Sequence, residues 1–198
     1  HSQYGVFELG MNHAGEIAPL SQLVRPHVAI ITNVEPVHLE FFSSLSQIAD
    51  AKAEIFEGLE PAGIAILNRD SAHFDHLAAA AKAAGVGRVV SFGAHKDAQA
   101  RLIGLAQHPT CNCISADIDG QAVTYKVGAP GRHWAINSLA VLAAVRALGA
   151  DLGLAALAMA DVTAPKGRGE RHVIAYDEGT LLVIDESSMV DVSLMHAL

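Results

Sequence analysis

A lysine, a glutamate and a histidine carry the chemistry that most needs explaining. In "LSQIADAKAEIFEGL" (45 to 59) the apolar positions Leu45, Ile48, Ala49, Phe56 and Leu59 recur at the spacing of a buried helical stripe. Lys52 falls in that stripe, four residues after Ile48 and four before Phe56. A buried ammonium must find a carboxylate or lose its proton, because desolvation penalises the charged form. A neutral lysine is a nucleophile. One reaction open to it is uptake of carbon dioxide to give a carbamate, an anion suited to holding Mg2+. Glu8, near the end of "YGVFEL", and His38, in "TNVEPVHLE", add an oxygen and a nitrogen donor, so the three together suggest a divalent-cation site. The plainer alternative has Glu8 capping a turn, His38 bonded to backbone as one of eleven histidines, and Lys52 snorkelling to solvent. Spacing leaves both open.

Other polar residues cluster where loops are expected. Asn12 and His13 follow the first apolar run, and Thr32 and Asn33 follow the second. Asn137, inside a helical segment, is either a ligand-bonding amide or an ordinary capping or surface group. The "GRH" at 131 to 133 leads into that helix, whose first amides favour anions. Arg168 and Arg171 have the forked geometry that clamps phosphate or carboxylate, although a solvated linker arginine is the default.

These residues require a scaffold that brings distant loops together. The runs 4 to 9, 27 to 32, 63 to 67 and 88 to 92 read as strands, with helices at 45 to 59 and at 72 to 84, the latter ending at Gly85. Alternating strands and helices predict an α/β fold, a mostly parallel sheet with flanking helices. In such sheets functional groups gather at the carboxyl ends of the strands. Residues 99 to 128 instead alternate polar and apolar around a turn at "DIDGQ", predicting a small antiparallel β element. Helices follow at 133 to 149, closing with Gly149, and at 152 to 160. "TAPKGRGER" is a Pro and Gly punctuated connector, and "HVIAY" and "TLLVID" around "DEG" open a further unit. The expected division is 1–162 and 163–198.

Composition narrows the partners. Over half of the 198 residues are hydrophobic, the net charge is −8, and the thirteen Lys and Arg are scattered, so a globular protein that binds no nucleic acid is expected. The longest apolar runs fall short of the roughly 20 residues that span a bilayer, so no membrane span and a cytoplasmic location are expected. Cys111 and Cys113 are read as strand residues, being too close for an easy disulfide and lacking a second ligand pair for zinc. His1 is not an initiator Met, and a strand-like run begins almost at once, so a piece of a longer protein is expected.

"FELGMNHAGEIAPLSQLVRPHVAIITNVEPVHLEFFSSLSQIADAKAEIFEGL", followed by "GIAILNRD", "GRHWAINSLAVLAA" and "PKGRGERH", closely resembles the Mur ligases. The "ELGxNHxGEI" form is similar to the subgroup that joins D-alanyl-D-alanine to UDP-N-acetylmuramoyl-tripeptide. The resemblance implies a central ATPase domain followed by the start of a C-terminal Rossmann-like domain. It implies ATP and Mg2+ as cofactors, those two peptide substrates as partners, a monomer, and cytoplasmic peptidoglycan precursor synthesis through an acyl phosphate. Position by position it implies that Glu8, His38 and a carbamylated Lys52 hold Mg2+, with His38 and Lys52 catalytic. Asn137, Arg168 and Asp185 meet the nucleotide, while Asn12, His13 and Asn33 line the substrate cleft.

The sequence departs from the family in three places. A Gly-rich phosphate loop ending in Gly-Lys-Thr or Gly-Lys-Ser should precede residue 1, so these 198 residues alone are expected to be inactive. The family's "IDDSYNANPxSM" is replaced by "IDESSMVDVSLM" at 184 to 195, which changes the contacts of that loop. "HLEFFSS" lacks the small residues that often follow the metal-site histidine. Two alternatives remain: a related Mur or folylpolyglutamate-type ligase with another acceptor, and a non-catalytic nucleotide-binding module.

Overall fold

The computed structural model describes residues 3–36, 42–163, 170–176 and 179–185, the last two stretches through their backbone. Three parallel strands begin the sheet: β1 (Val28–Ile31), β2 (Ile64–Asn68) and β3 (Arg88–Gly93), with Val28 opposite Ile64 and Ile64 opposite Arg88. β2 lies between two neighbours and under helices on both faces, so Ala65, Ile66 and Leu67 are all fully buried. That double burial is why the strand is a continuous apolar run. Parallel neighbours require crossovers, which α2 (Leu45–Ala53), continued by a 3-10 turn over Glu54–Gly58, and α3 (Phe74–Ala83) provide. The N-terminal hydroxyl of α2, on Ser44, accepts from the Gln47 N–H, and the Gln47 side chain accepts from the Ser43 N–H.

The expected antiparallel element continues the same sheet. β4 (Ala100–Gln107) runs parallel to β3, then pairs antiparallel with β5 (Asn112–Ile118), which pairs antiparallel with β6 (Gln121–Val127). The spatial order follows the chain from β1 to β6. Asp119 and Gly120, at φ of 53° and 85°, make the two-residue mirror-image turn between β5 and β6, and the Asp117 carboxylate accepts the Gly120 N–H at 2.7 Å. One face of the sheet is covered by α4 (Arg132–Ala147) and α5 (Leu152–Ala158), which bury Ile66, Phe92, Ile114 and Ile118 with Leu139 and Leu142. The other is covered by α2 and α3, which bury Ile31, Ala65 and Leu67 with Ile48, Phe56 and Leu77. α1 (Ile17–Val24) packs on the 3-10 turn, where Ser21 donates its hydroxyl to the Ile55 carbonyl. β7 (Glu170–Tyr176) and β8 (Gly179–Asp185) form an antiparallel pair in a sheet of their own. No helix among the described residues is long and apolar enough to cross a membrane.

Two expectations need correcting. Residues 4 to 10 form neither strand nor helix, and Val6 and Phe7 are 97% and 65% exposed. Alternating apolar residues give a segment a face to bury, but a strand also needs a ladder partner. Among the described residues β1 ends the sheet and pairs only with β2. The buried stripe of α2 also starts one turn late, because Leu45 is exposed whereas Ile48 and Ala49 are fully buried.

Candidate functional site

Lys52 occupies the last turn of α2 between buried Ala51 and the buried Phe56, and is itself half-buried. Desolvation lowers its pKa from the ordinary lysine value. No carboxylate pairs with it among the described residues. An amine in this setting is easier to deprotonate than a surface lysine, which makes it a better nucleophile.

Two residues further on, the chain meets the loop that carries Asn12 and His13. Glu54 accepts the Gly15 N–H at 2.6 Å through one oxygen, and the Ile17 and Ala18 N–H groups at 3.1 and 3.3 Å through the other. These are donors at the start of α1, whose own N-terminal residue Glu16 makes no side-chain cap. Glu16 turns back instead, accepting the Asn12 and His13 N–H groups at 2.7 and 3.2 Å and lying 3.1 Å from His13 Nδ1. Those backbone donors hold the Glu16 carboxyl below the ordinary glutamate value. Gly15, at φ +88°, permits the turn. Asn12 and His13 are exposed at the tip.

The carboxyl ends of the parallel strands are tied to one another. Asn68 donates its amide to the Thr32 carbonyl at 2.9 Å, linking β2 to β1. Asp70 accepts the Ala94 and His95 N–H groups, both at 2.7 Å, linking β2 to β3. Gly93 is required there: it sits at φ +143°, and a Cβ would lie 2.7 Å from the Asp70 carboxyl. Asn33 uses both ends of its amide locally, donating to Glu35 and accepting the Val34 N–H at 3.0 Å.

α4 is entered through Gly131, at φ 103°, with no side chain capping its first amides. The fully buried Asn112 at the start of β5 fixes that entry, donating to the Ala129 and Gly131 carbonyls at 2.8 and 2.9 Å. Asn137 lies in the second turn, half-buried, next to Ser138, whose hydroxyl bonds Tyr125 at 2.8 Å. Burial pushes the Tyr125 phenol up to about 12, so it remains a neutral hydrogen-bonding group.

The structure therefore ties the 3-10 turn that continues α2 to the chain just after Asn12 and His13, and orders the strand ends. Glu8 is exposed in the irregular segment before that loop. His38 and Arg168 lie outside the described residues, and Asp185 ends β8, where only the backbone is described. Among the described residues no three His, Cys, Asp or Glu side chains cluster as a metal centre. Glu54, Glu16, Asp70 and Asn112 escaped the sequence reading. Each acts on backbone groups, many of them distant in sequence, and Asn112, as the first residue of β5, looks like an ordinary strand-end amide.

The Mur ligase middle domain family matches residues 1–145. A UDP-N-acetylmuramoyl-tripeptide--D-alanyl-D-alanine ligase from Rickettsia prowazekii is 36% identical over 169 residues, covering 85% of this chain and 38% of that protein. The ligase of the same name from Escherichia coli is 34% identical over 194 residues, covering 98% of this chain and 42% of that one. A crystal structure of MurF from Acinetobacter baumannii superposes with a TM-score of 0.84 at 28% identity, over 98% of this chain and 41% of that one. The chain thus spans about two fifths of the length of these relatives.

Proposed function

The chain belongs to the Mur ligase family, and we propose that the whole protein is an ATP-dependent amide ligase joining D-alanyl-D-alanine to UDP-N-acetylmuramoyl-tripeptide. The observation that carries this reading is the likeness, over 85% and 98% of the chain, to two ligases named for that reaction. The "ELGMNHAGEI" segment supports it, since its loop is folded back by Glu16 and anchored by Glu54. In this reading the peptide carboxylate takes a phosphoryl group from ATP, and the incoming amine displaces phosphate from the acyl phosphate. The protein's contribution is positioning and electrostatic stabilisation.

Lys52, as the neutral amine that its desolvation favours, adds carbon dioxide at Nζ and releases a proton, leaving a carbamate. Its oxygens, with Glu8 and with His38, would supply donors of the kind that suit Mg2+: a lysine ammonium would repel the ion, and among the described residues no carboxylate pairs with Nζ. Magnesium, when bound, neutralises phosphoryl oxygens. Asn137, Arg168 and Asp185 serve the nucleotide. Asn12, His13 and Asn33 serve the peptide substrates, with the Asn33 amide engaged locally by Val34 and Glu35 at the end of β1. Residues 1–162 form the central domain and 163–198 the linker and the start of the next, in a cytoplasmic monomer.

The test is phosphate release by the full-length protein with ATP, Mg2+, the tripeptide nucleotide and D-alanyl-D-alanine. Release that requires both peptide substrates is expected. The altered 188 to 192 segment favours a second reading in which the acceptor is a different amino acid. Glutamate incorporation in place of the dipeptide would establish that one, and no release with any acceptor would leave a binding module.

A further inference from the structure

The end of the Asn12–His13 loop and the 3-10 turn that continues the Lys52 helix are joined by the Glu54 side chain. Glu54 follows Lys52 by two residues and grips three N–H groups across 36 to 39 positions of sequence. The grip brackets Glu16: the Gly15 and Ile17 amides lie on either side of it, and both point at Glu54. Glu16 in turn holds the Asn12 and His13 amides. Fixing the backbone at 15 and 17 therefore fixes where the Glu16 carboxylate sits, and through it the two exposed side chains at the tip.

Two features make Glu54 the controlling member of this chain. The start of α1 has no side-chain cap of its own, so Glu54 supplies from another element the acceptor that a local Ser or Asp would supply. Two of the Glu54 hydrogen bonds are part-buried and reach across the chain, whereas those of Glu16 to backbone are exposed and local, so loss of Glu54 leaves the turn its Met11 packing on the core but frees its backbone at 15 to 18. The second attachment between these elements, the Ser21 hydroxyl on the Ile55 carbonyl together with close packing at Gly58, lies a full turn further along α1. It keeps α1 docked without fixing the loop before it.

We propose that Glu54 is a positioning residue that sets the Asn12–His13 loop against the Lys52 helix, so that binding of a peptide substrate depends on it. The proposal rests on the ligase reading for the identity of the substrates, and on the geometry alone for the anchoring. Glu54 touches no reacting atom in this account. It acts through Glu16 and the backbone of 15 to 18.

The experiment compares the full-length protein with its Glu54→Gln variant, which keeps size but exchanges one acceptor oxygen for a donor. Amide hydrogen exchange at Asn12, His13, Gly15, Ile17 and Ala18 is expected to accelerate about tenfold, with α4 unchanged. The KM of a peptide substrate, the tripeptide nucleotide or D-alanyl-D-alanine, is expected to rise about tenfold, with the KM for ATP and kcat within about twofold. Unchanged exchange at those amides overturns the anchoring, and an equal loss for all three substrates overturns the positioning role. If Glu54→Gln does not fold, Glu54→Asp, which keeps the charge on a shorter arm, carries the same two measurements. If the parent protein does not ligate D-alanyl-D-alanine, the ligase reading fails, and the exchange measurement still decides the anchoring.

Discussion

Half-burial at Lys52 has a thermodynamic consequence that does not depend on any reaction. Its pKa is lowered in the folded chain from 10.5 by desolvation, and no described carboxylate compensates. The unfolded chain therefore binds more protons than the folded one between the two values, and stability rises with pH through that window. Below it the cost of the buried charge is present in full, and above 10.5 it is gone. Lys52→Met, measured in buffer stripped of carbon dioxide, is expected to be more stable than wild type at neutral pH, with the gain shrinking as pH rises toward 10.5. Denaturant midpoints across that range provide the check. A constant difference would mean that the ammonium is solvated and that snorkelling was the right description. With carbon dioxide restored, a carbamate on Lys52 should appear as uptake of isotopically labelled bicarbonate that Lys52→Met lacks.

Where α1 meets the 3-10 turn, two backbones approach so closely that a side chain is excluded. A Cβ on Gly58 would lie 2.1 Å from the Ser21 carbonyl carbon and 2.4 Å from the Gln22 nitrogen. Backbone cannot rotate aside as a side chain can, so Gly58→Ala must push the helix off the turn, at a cost of roughly 3 kcal/mol. Gly85, at φ +77° with nothing near its Cβ position, is the useful control: Gly85→Ala meets only left-handed strain of about 1 kcal/mol. Thermal unfolding of the two variants should rank them in that order, and equal shifts would show that α1 yields easily. This contact was invisible in the sequence, as was the reach of Glu54, because both join elements more than thirty residues apart. What periodicity did reveal was local. β1, β2 and β3 appeared within a residue or two because each is a short run rich in Val, Ile or Leu, continuous in the doubly buried β2, and α4 because Gly149, at φ 69°, marks its end. The run at 4 to 9 misled because it has a strand's composition without a described partner. The site divided in the same way: Lys52 was found from its own stripe, whereas the metal grouping needed His38, which lies outside the described residues.

The sheet as a whole separates two cores, and β2 gives fully buried side chains to both. Ile66 packs under α4 with Phe92, Ile114 and Leu139, while its neighbour Leu67 packs under α2 and α3 with Ile48, Phe56 and Leu77. Alternation along β2 sends the two side chains to opposite faces, so each can be truncated without touching the other's core. Ile66→Ala and Leu67→Ala are each expected to cost about 3 kcal/mol, because both residues are fully buried and leave a cavity. The more telling outcome is the shape of the unfolding curve. If the helices on the two faces were separately stable units, one variant would melt its own layer first and give two steps. β2 sits between β1 and β3 and lines both cores, so neither layer has a surface to pack on once it is lost. A single transition, shifted by a similar amount in both variants when followed by denaturant titration, is therefore expected. A biphasic curve in either variant would show that the face carrying the Lys52 helix folds independently of the face carrying Asn137.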